Sequence, residues 1–131
     1  MILVDTSAWI EFLRATGDEA HLRLRSALES GTELAATDVI AMELLAGARD
    51  DADRDRLRRL VYGLEFLAVE GPGDYEQAAE LYRRCRRGGE TPRKLGDCLI
   101  AAVAIRSGAE LLAADADFET IARHTSLKLA G

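Results

Sequence analysis

Four apolar stretches of this chain each carry a single acid. In the opening MILVDTSAWI, Asp5 is the only charge, set directly after Ile2, Leu3 and Val4. Between Val39 and Ala48 the segment VIAMELLAGA holds only Glu43, and LGDCLIAAVAI, from Leu95 to Ile105, holds only Asp97. After Leu111-Leu112-Ala113-Ala114 comes Asp115, with Asp117 two residues on. Carboxylates that share one cleft repel: at ~5 Å, by about 3 kcal/mol at an effective dielectric of about 20. Without compensation such a cluster raises its own pKa values or pushes the fold apart. A set of oxygen donors with no His or Cys among them suits a hard dication, Mg²⁺ or Mn²⁺. Two such ions ~4 Å apart can activate water and stabilise the leaving oxygen in an in-line phosphoryl displacement.

The elements around these acids alternate. Ile2–Val4, Glu33–Ala36, Glu65–Val69, Glu110–Ala114 and Leu127–Leu129 read as short strands. Helical patterns fill the gaps: Ser7–Leu13, a helix opened by Asp18 with Leu22, Leu24 and Leu28 as its apolar positions, and Asp38–Ala48 with Thr37 as N-cap. Asp51–Tyr62 follows, then a helix with Tyr75, Ala78, Ala79 and Tyr82 on one face, then Leu95–Arg106 and Phe118–Arg123. Strands separated by helices imply parallel pairing with right-handed crossovers. The expected fold class is therefore α/β, a three-layer α/β/α sandwich around a five-stranded parallel sheet. Ligands are expected beyond the carboxyl ends of its strands. Asp5 and Asp115 end strands at that edge. Glu43 lies about five residues into a helix leaving it, ~8 Å from its start. Asp97 lies at the start of a helix that must run back to feed the 110–114 strand.

Each acid has a structural explanation as well. Asp5 and Asp115 can cap the helices that follow them, Asp97 can be a first-turn acid favoured by the helix dipole, and Glu43 can belong to an ion pair. Four such coincidences at one sheet edge are the less economical account.

Composition bounds the rest. The 131 residues are 48% apolar and 31% charged, which suits one folded domain spanning 1–131. The longest uncharged apolar run, Cys98–Ile105, is too short to cross a bilayer, and Asp5 interrupts any signal-like start. Cys85 and Cys98 fit reduced packing positions in a cytoplasmic protein. His21 and His124 lie in polar contexts expected at the surface, while Trp9, Tyr75, Tyr82 and Phe118 read as core or rim packing. The net charge of −6 opposes a broad nucleic-acid field. Positive charge is concentrated locally: Arg54, Arg56, Arg58 and Arg59 read as a solvated helix face. A denser group (Arg83, Arg84, Arg86, Arg87, Arg93 and Lys94) supplies in its last four members a possible contact for RNA or a partner.

VDTSAWI, IAMELLAG, DCLIAAVAI and LLAADADF, in this order and spacing, resemble the PIN domain, specifically the VapC toxins of bacterial toxin–antitoxin pairs. The resemblance spans essentially the whole chain. It implies a five-stranded parallel sheet, an acidic cleft binding Mg²⁺ or Mn²⁺, and endoribonuclease activity on structured RNA, transfer RNA especially. By position Asp5, Glu43, Asp97 and Asp115 match the four family acids. On that reading Asp5, Asp97 and Asp115 ligate metal, Glu43 ligates the ion or positions water, and Ser7 and Asp117 form the supporting shell. The product then carries a 5′-phosphate. A homodimer, and a VapB-type antitoxin whose tail fills the acidic groove, are implied as partners.

Two other readings remain open. Asp115-Ala116-Asp117 resembles the D-x-D nucleophile motif of haloacid-dehalogenase-like phosphatases, although it comes last in the chain rather than first. Alternatively, the acids receive a basic peptide and the protein is a non-catalytic regulator.

Overall fold

The computed structural model describes all residues, Met1–Gly131. Its elements are β1 (Ile2–Val4), α1 (Thr6–Leu13), α2 (Glu19–Glu29), β2 (Leu34–Ala36), α3 (Asp38–Ala46), α4 (Asp51–Tyr62), β3 (Glu65–Phe66), α5 (Gly73–Arg87), α6 (Leu95–Ser107), β4 (Glu110–Leu112) and α7 (Asp117–His124). The strands pair in parallel in the order β3-β2-β1-β4, with Leu3 opposite Ala35 and Leu111. Successive links β1→β2→β3 advance in one direction, so right-handed crossovers carry α1–α4 over one face. The link from β3 to β4 returns across the sheet and carries α5 and α6 over the other face. There α7 packs against both. The result is the expected α/β/α sandwich, and the point where strand order reverses lies between β1 and β4.

β1 and β2 are buried on both faces, as apolar central strands of a parallel sheet must be. Trp9, Leu24, Ile40, Leu81, Ile100 and Phe118 fill the two layers around them. α6 is buried continuously from Asp97 to Ala104. A helix with no polar face has to lie between neighbours, and its alanines let α5 come close.

The sheet has four strands rather than five. Leu127–Leu129 does run beside β4, but only as a single bridge, Leu111 to Leu129, held by Leu111 N–H to Lys128 O (2.9 Å) and Ala130 N–H to Leu111 O (2.8 Å). So short a segment exchanges bonds with one residue and builds no ladder. The expected strands Glu65–Val69 and Glu110–Ala114 also pair over fewer residues than their apolar runs suggest.

Other corrections concern helix faces. α2 buries Ala20, His21, Leu24 and Ala27, leaving Leu22 and Leu28 exposed. Small residues at helical spacing form the face against α1, which the leucine count alone obscured. α5 likewise buries Asp74, Ala78, Leu81 and Cys85 while Tyr75 and Ala79 are exposed. His21 is buried, not at the surface: its Nδ1 accepts the Gly17 N–H at 2.9 Å and its ring meets Phe12 edge-on. Thr37 precedes α3 as expected, but its hydroxyl is buried without a partner and caps nothing. Cys85 and Cys98 are free and buried, and Arg54 and Arg56 pair with neighbouring aspartates on α4.

Candidate metal centre

Asp5 is the residue at which β1 stops and α1 starts. Its backbone N–H still donates to Leu112 O at 2.9 Å, continuing the sheet, while its carboxylate caps α1 by accepting the Ser7 N–H at 3.0 Å. The Ser7 hydroxyl donates to the same Asp5 oxygen at 2.6 Å and accepts the Ala114 N–H at 2.9 Å. Ser7 thus bridges the first acid to the stretch just before Asp115. Because the side chain is buried, the Asp5 pKa is raised despite the Ser7 and Thr6 hydrogen bonds, with Asp115 adding repulsion.

Glu43 lies half-buried on α3, and Thr6 Oγ1 donates to its Oε1 at 3.1 Å. Burial raises its pKa as well. Thr6 and Lys94 oppose the shift, whereas Asp5 and Asp115 reinforce it. Glu43 is near enough to Asp5 and Asp115 to feel their charge and has no ion-pair partner within 4 Å, unlike a structural salt bridge.

Asp97 occupies the first turn of α6 at 5% exposure, and its Oδ2 is buried with no hydrogen-bond partner. Burial is the largest influence on it. Lys94 partly offsets this, and Asp5, Asp115 and Asp117 add repulsion, so its pKa is pushed up to about 7. An orphaned buried carboxylate oxygen is costly and marks a place where a cation belongs.

Asp115 follows β4 and accepts the Asp117 N–H at 2.9 Å, which turns the chain into α7. One oxygen each from Asp97, Asp115 and Asp117 lies within 4.8 Å of the others. Asp117, expected in the supporting shell, thus joins this group of three, while Asp5 is engaged with Ser7 beside it. The donor set is all carboxylate, so these residues fit a hard dication. Arg93 and Lys94 reach the same acids, with Arg93 Nη2 3.1 Å from Asp115 Oδ1 and Lys94 Nζ 3.7 Å from Asp115 Oδ2. Arg86 and Arg87 are instead exposed on the last turn of α5, and Arg87 pairs with Glu80. A groove of about 430 Å³ opens beside Asp115, with Ala114 and Leu129 in its wall and Arg23 and Glu119 among its polar lining.

One participant escaped the sequence reading. Thr6 holds Glu43 across 37 positions of sequence, and nothing local to the pair signals it. Arg93 was expected with Arg86, Arg87 and Lys94 as a contact for RNA or a partner, and only its placement on Asp115 and Asp117 separates it from Arg86 and Arg87.

The PIN domain family model matches residues 2–124 of the chain. Ribonuclease VapC11 of Mycobacterium tuberculosis (strain ATCC 25618 / H37Rv) is 51% identical over 131 residues, covering 99% of this chain and 98% of that protein. VapC ribonuclease Mb1587 of Mycobacterium bovis matches to the same extent, 51% over 99% and 98%. Among solved structures, VapBC2 from Rickettsia felis bound to a promoter DNA fragment aligns with a TM-score of 0.75 at 19% identity, covering 99% of this chain and 98% of that one. Mycobacterium tuberculosis VapC20, described as a Sarcin-Ricin loop cleaving toxin, aligns with a TM-score of 0.65 at 20% identity over 98% and 99%. At these identities the two structures speak for the fold alone.

Proposed function

Because the chain belongs to the PIN domain family, we propose that it works as a VapC-type toxin, a dication-dependent endoribonuclease restrained by a VapB-type antitoxin. The observation that carries the reading is the meeting of Asp97, Asp115 and Asp117 within 4.8 Å, with Asp97 Oδ2 buried and unpartnered. Full-length identity of 51% to VapC ribonucleases supports the same activity.

Asp97, Asp115 and Asp117 would hold the ion, with Asp5 beside them. When bound, Mg²⁺ or Mn²⁺ supplies neutralisation of the charge developing on the phosphate and makes water a better nucleophile. Asp5 is fixed by Ser7 and keeps the field at the end of β1 negative. Glu43 is oriented by Thr6, and its raised pKa suits it to take a proton from the attacking water. Arg93 and Lys94, which reach Asp115, would be the cations that meet an RNA phosphate. With water as nucleophile and the ribose 3′ oxygen leaving, the product carries a 5′-phosphate. Transfer RNA is the substrate class we favour.

Ile10, Leu13, Leu22 and Leu28 leave apolar side chains exposed on α1 and α2, which supports a protein partner, antitoxin or second copy. No helix is long and apolar enough to cross a membrane; the cytoplasm is the location we propose for a VapC-type toxin.

The test uses purified, antitoxin-free chain and structured RNA. Cleavage should require Mg²⁺ or Mn²⁺, leave 5′-phosphate ends, stop with EDTA, and fall by about a hundredfold or more in Asp97→Asn. A second reading, a non-catalytic protein whose acids receive a basic peptide, draws on one observation: Asp115 and Asp117 already accept an arginine. Absence of metal-stimulated cleavage in antitoxin-free protein would favour it. A phosphatase acting through Asp115 is not favoured by family membership, and Asp115 follows the last strand of the sheet, at its edge.

A further inference from the structure

The cation nearest the acids is the chain's own. Arg93 lies in the 88–94 connection between α5 and α6. Its Nη2 is 3.1 Å from Asp115 Oδ1, and its Nε is 3.3 and 3.2 Å from the two oxygens of Asp117. The backbone N–H of the same residue donates to Asp117 Oδ2 at 3.2 Å. The far end of the connection is pinned too. Glu90 accepts from Arg123 Nε at 3.1 Å and Nη2 at 2.6 Å, and its Oε1 lies 2.9 Å from His124 Nε2. Gly88 passes so close to the His124 ring that a side chain there would collide with it. The Arg93 side chain is 71% exposed, yet its main chain is delivered to the acids by contacts at both ends of the connection.

Two of the three carboxylates that fit a dication therefore already carry a guanidinium. Only Asp97 is left out: its Oδ2 has no partner, and no Arg93 atom bonds it. A dication entering this group would share lone pairs with a fixed positive charge about 3 Å away, and two cations on the same oxygens repel.

We propose that Arg93 is the resident counter-ion of the acidic site, and that a dication loads by displacing its guanidinium from Asp115 and Asp117. The inference rests on Asp97, Asp115 and Asp117 being the metal donors and adds a residue that sets how tightly they bind. It accounts for how a cluster of acids stays folded while metal-free: Arg93 pairs with two of them, and the third, Asp97, has only the longer-range charge of Lys94.

The experiment is calorimetric titration of the full chain with Mn²⁺ at one pH and moderate salt, for wild type, Arg93→Gln, Arg93→Lys and Asp97→Asn. Arg93→Gln should bind Mn²⁺ about tenfold more tightly, a size set by the modest strength of exposed charge pairs. Arg93→Lys keeps the charge without the two-pronged geometry and should fall between wild type and Arg93→Gln. Thermal unfolding without metal checks that the variants are folded, as an exposed side chain permits. Equal or weaker Mn²⁺ binding by Arg93→Gln overturns the proposal and makes Arg93 a brace that holds the carboxylates in place. In that case wild-type binding, abolished in Asp97→Asn, leaves the metal-site reading standing. Uptake of no Mn²⁺ by either wild type or Arg93→Gln overturns both together.

Discussion

Asp97 shows most plainly what it costs to assemble this site. Burial, reinforced by Asp5, Asp115 and Asp117, raises its pKa from 3.8 to about 7 against the pull of Lys94. Between about pH 4 and about pH 7 the native chain keeps a proton that the unfolded chain has released, so stability declines as pH rises through that window and levels off above it. Asp5 and Glu43 are shifted the same way. In EDTA, the stability of Asp97→Asn relative to wild type should therefore grow from pH 4 to pH 7 and then stay flat, as read by urea unfolding. A difference independent of pH would contradict the assigned shift. Glu90 behaves oppositely. Hydrogen bonds from Arg123 and His124 hold its pKa at about 2, so its contribution is complete above 4.5 and disappears as pH falls toward 2. Glu90→Gln should melt earlier than wild type at pH 7, with the deficit closing near pH 2.

At the level of elements, the site depends on α6 staying where α5 and the 67–72 connection hold it. Burial alone would raise the pKa of Asp74, but two Arg106 hydrogen bonds (2.9 and 3.0 Å) and the Glu70 N–H (2.8 Å) outweigh it and hold the pKa below the usual range. Arg106 Nη2 also donates to Ala68 O at 2.9 Å, so one side chain near the end of α6 ties three segments together. Arg106→Gln strands a buried carboxylate. Because Arg106 is itself partly exposed, a loss of about 2 kcal/mol is expected in chemical denaturation. Adding Asp74→Asn should recover part of that loss, since the stranded charge is then gone. A double variant as unstable as the sum of the singles would mean the pair is not coupled. At the opposite end of α6, Asp97 should be unaffected, and Mn²⁺ binding by folded Arg106→Gln is the check.

For the molecule as a whole, folding and metal binding are linked. An ion that binds only the native state, at a hundred times its dissociation constant, adds about 2.7 kcal/mol. Saturating Mn²⁺ should accordingly raise the unfolding temperature of the wild type, EDTA should reverse the rise, and Asp97→Asn should show neither effect. Net charge of −6 opposes RNA over most of the surface, and on the proposed function Arg93 and Lys94 would have to supply local attraction once released from Asp115 and Asp117.

Four lone acids in apolar runs were enough to announce the sheet edge, because a charge amid residues that must be buried has few places to go. Alternation of short apolar runs with helical patterns was enough for the parallel α/β architecture, since parallel strands need crossovers. What could not be read was the pairing of groups distant along the chain. The Thr6–Glu43 bond spans 37 positions and the Arg93–Asp117 contacts span 24. Nor could the burial of α2 through Ala20 and Ala27 be read, because hydrophobicity ranks leucine above alanine while close helix packing selects for size. The amino-acid order settled which side chains are anomalous and roughly where the strands end. The tertiary structure alone decided which oxygens stand within 4.8 Å of one another and which of them an arginine already holds. Electrostatic energy depends on distance through space, and spacing along the chain bounds that distance without fixing it.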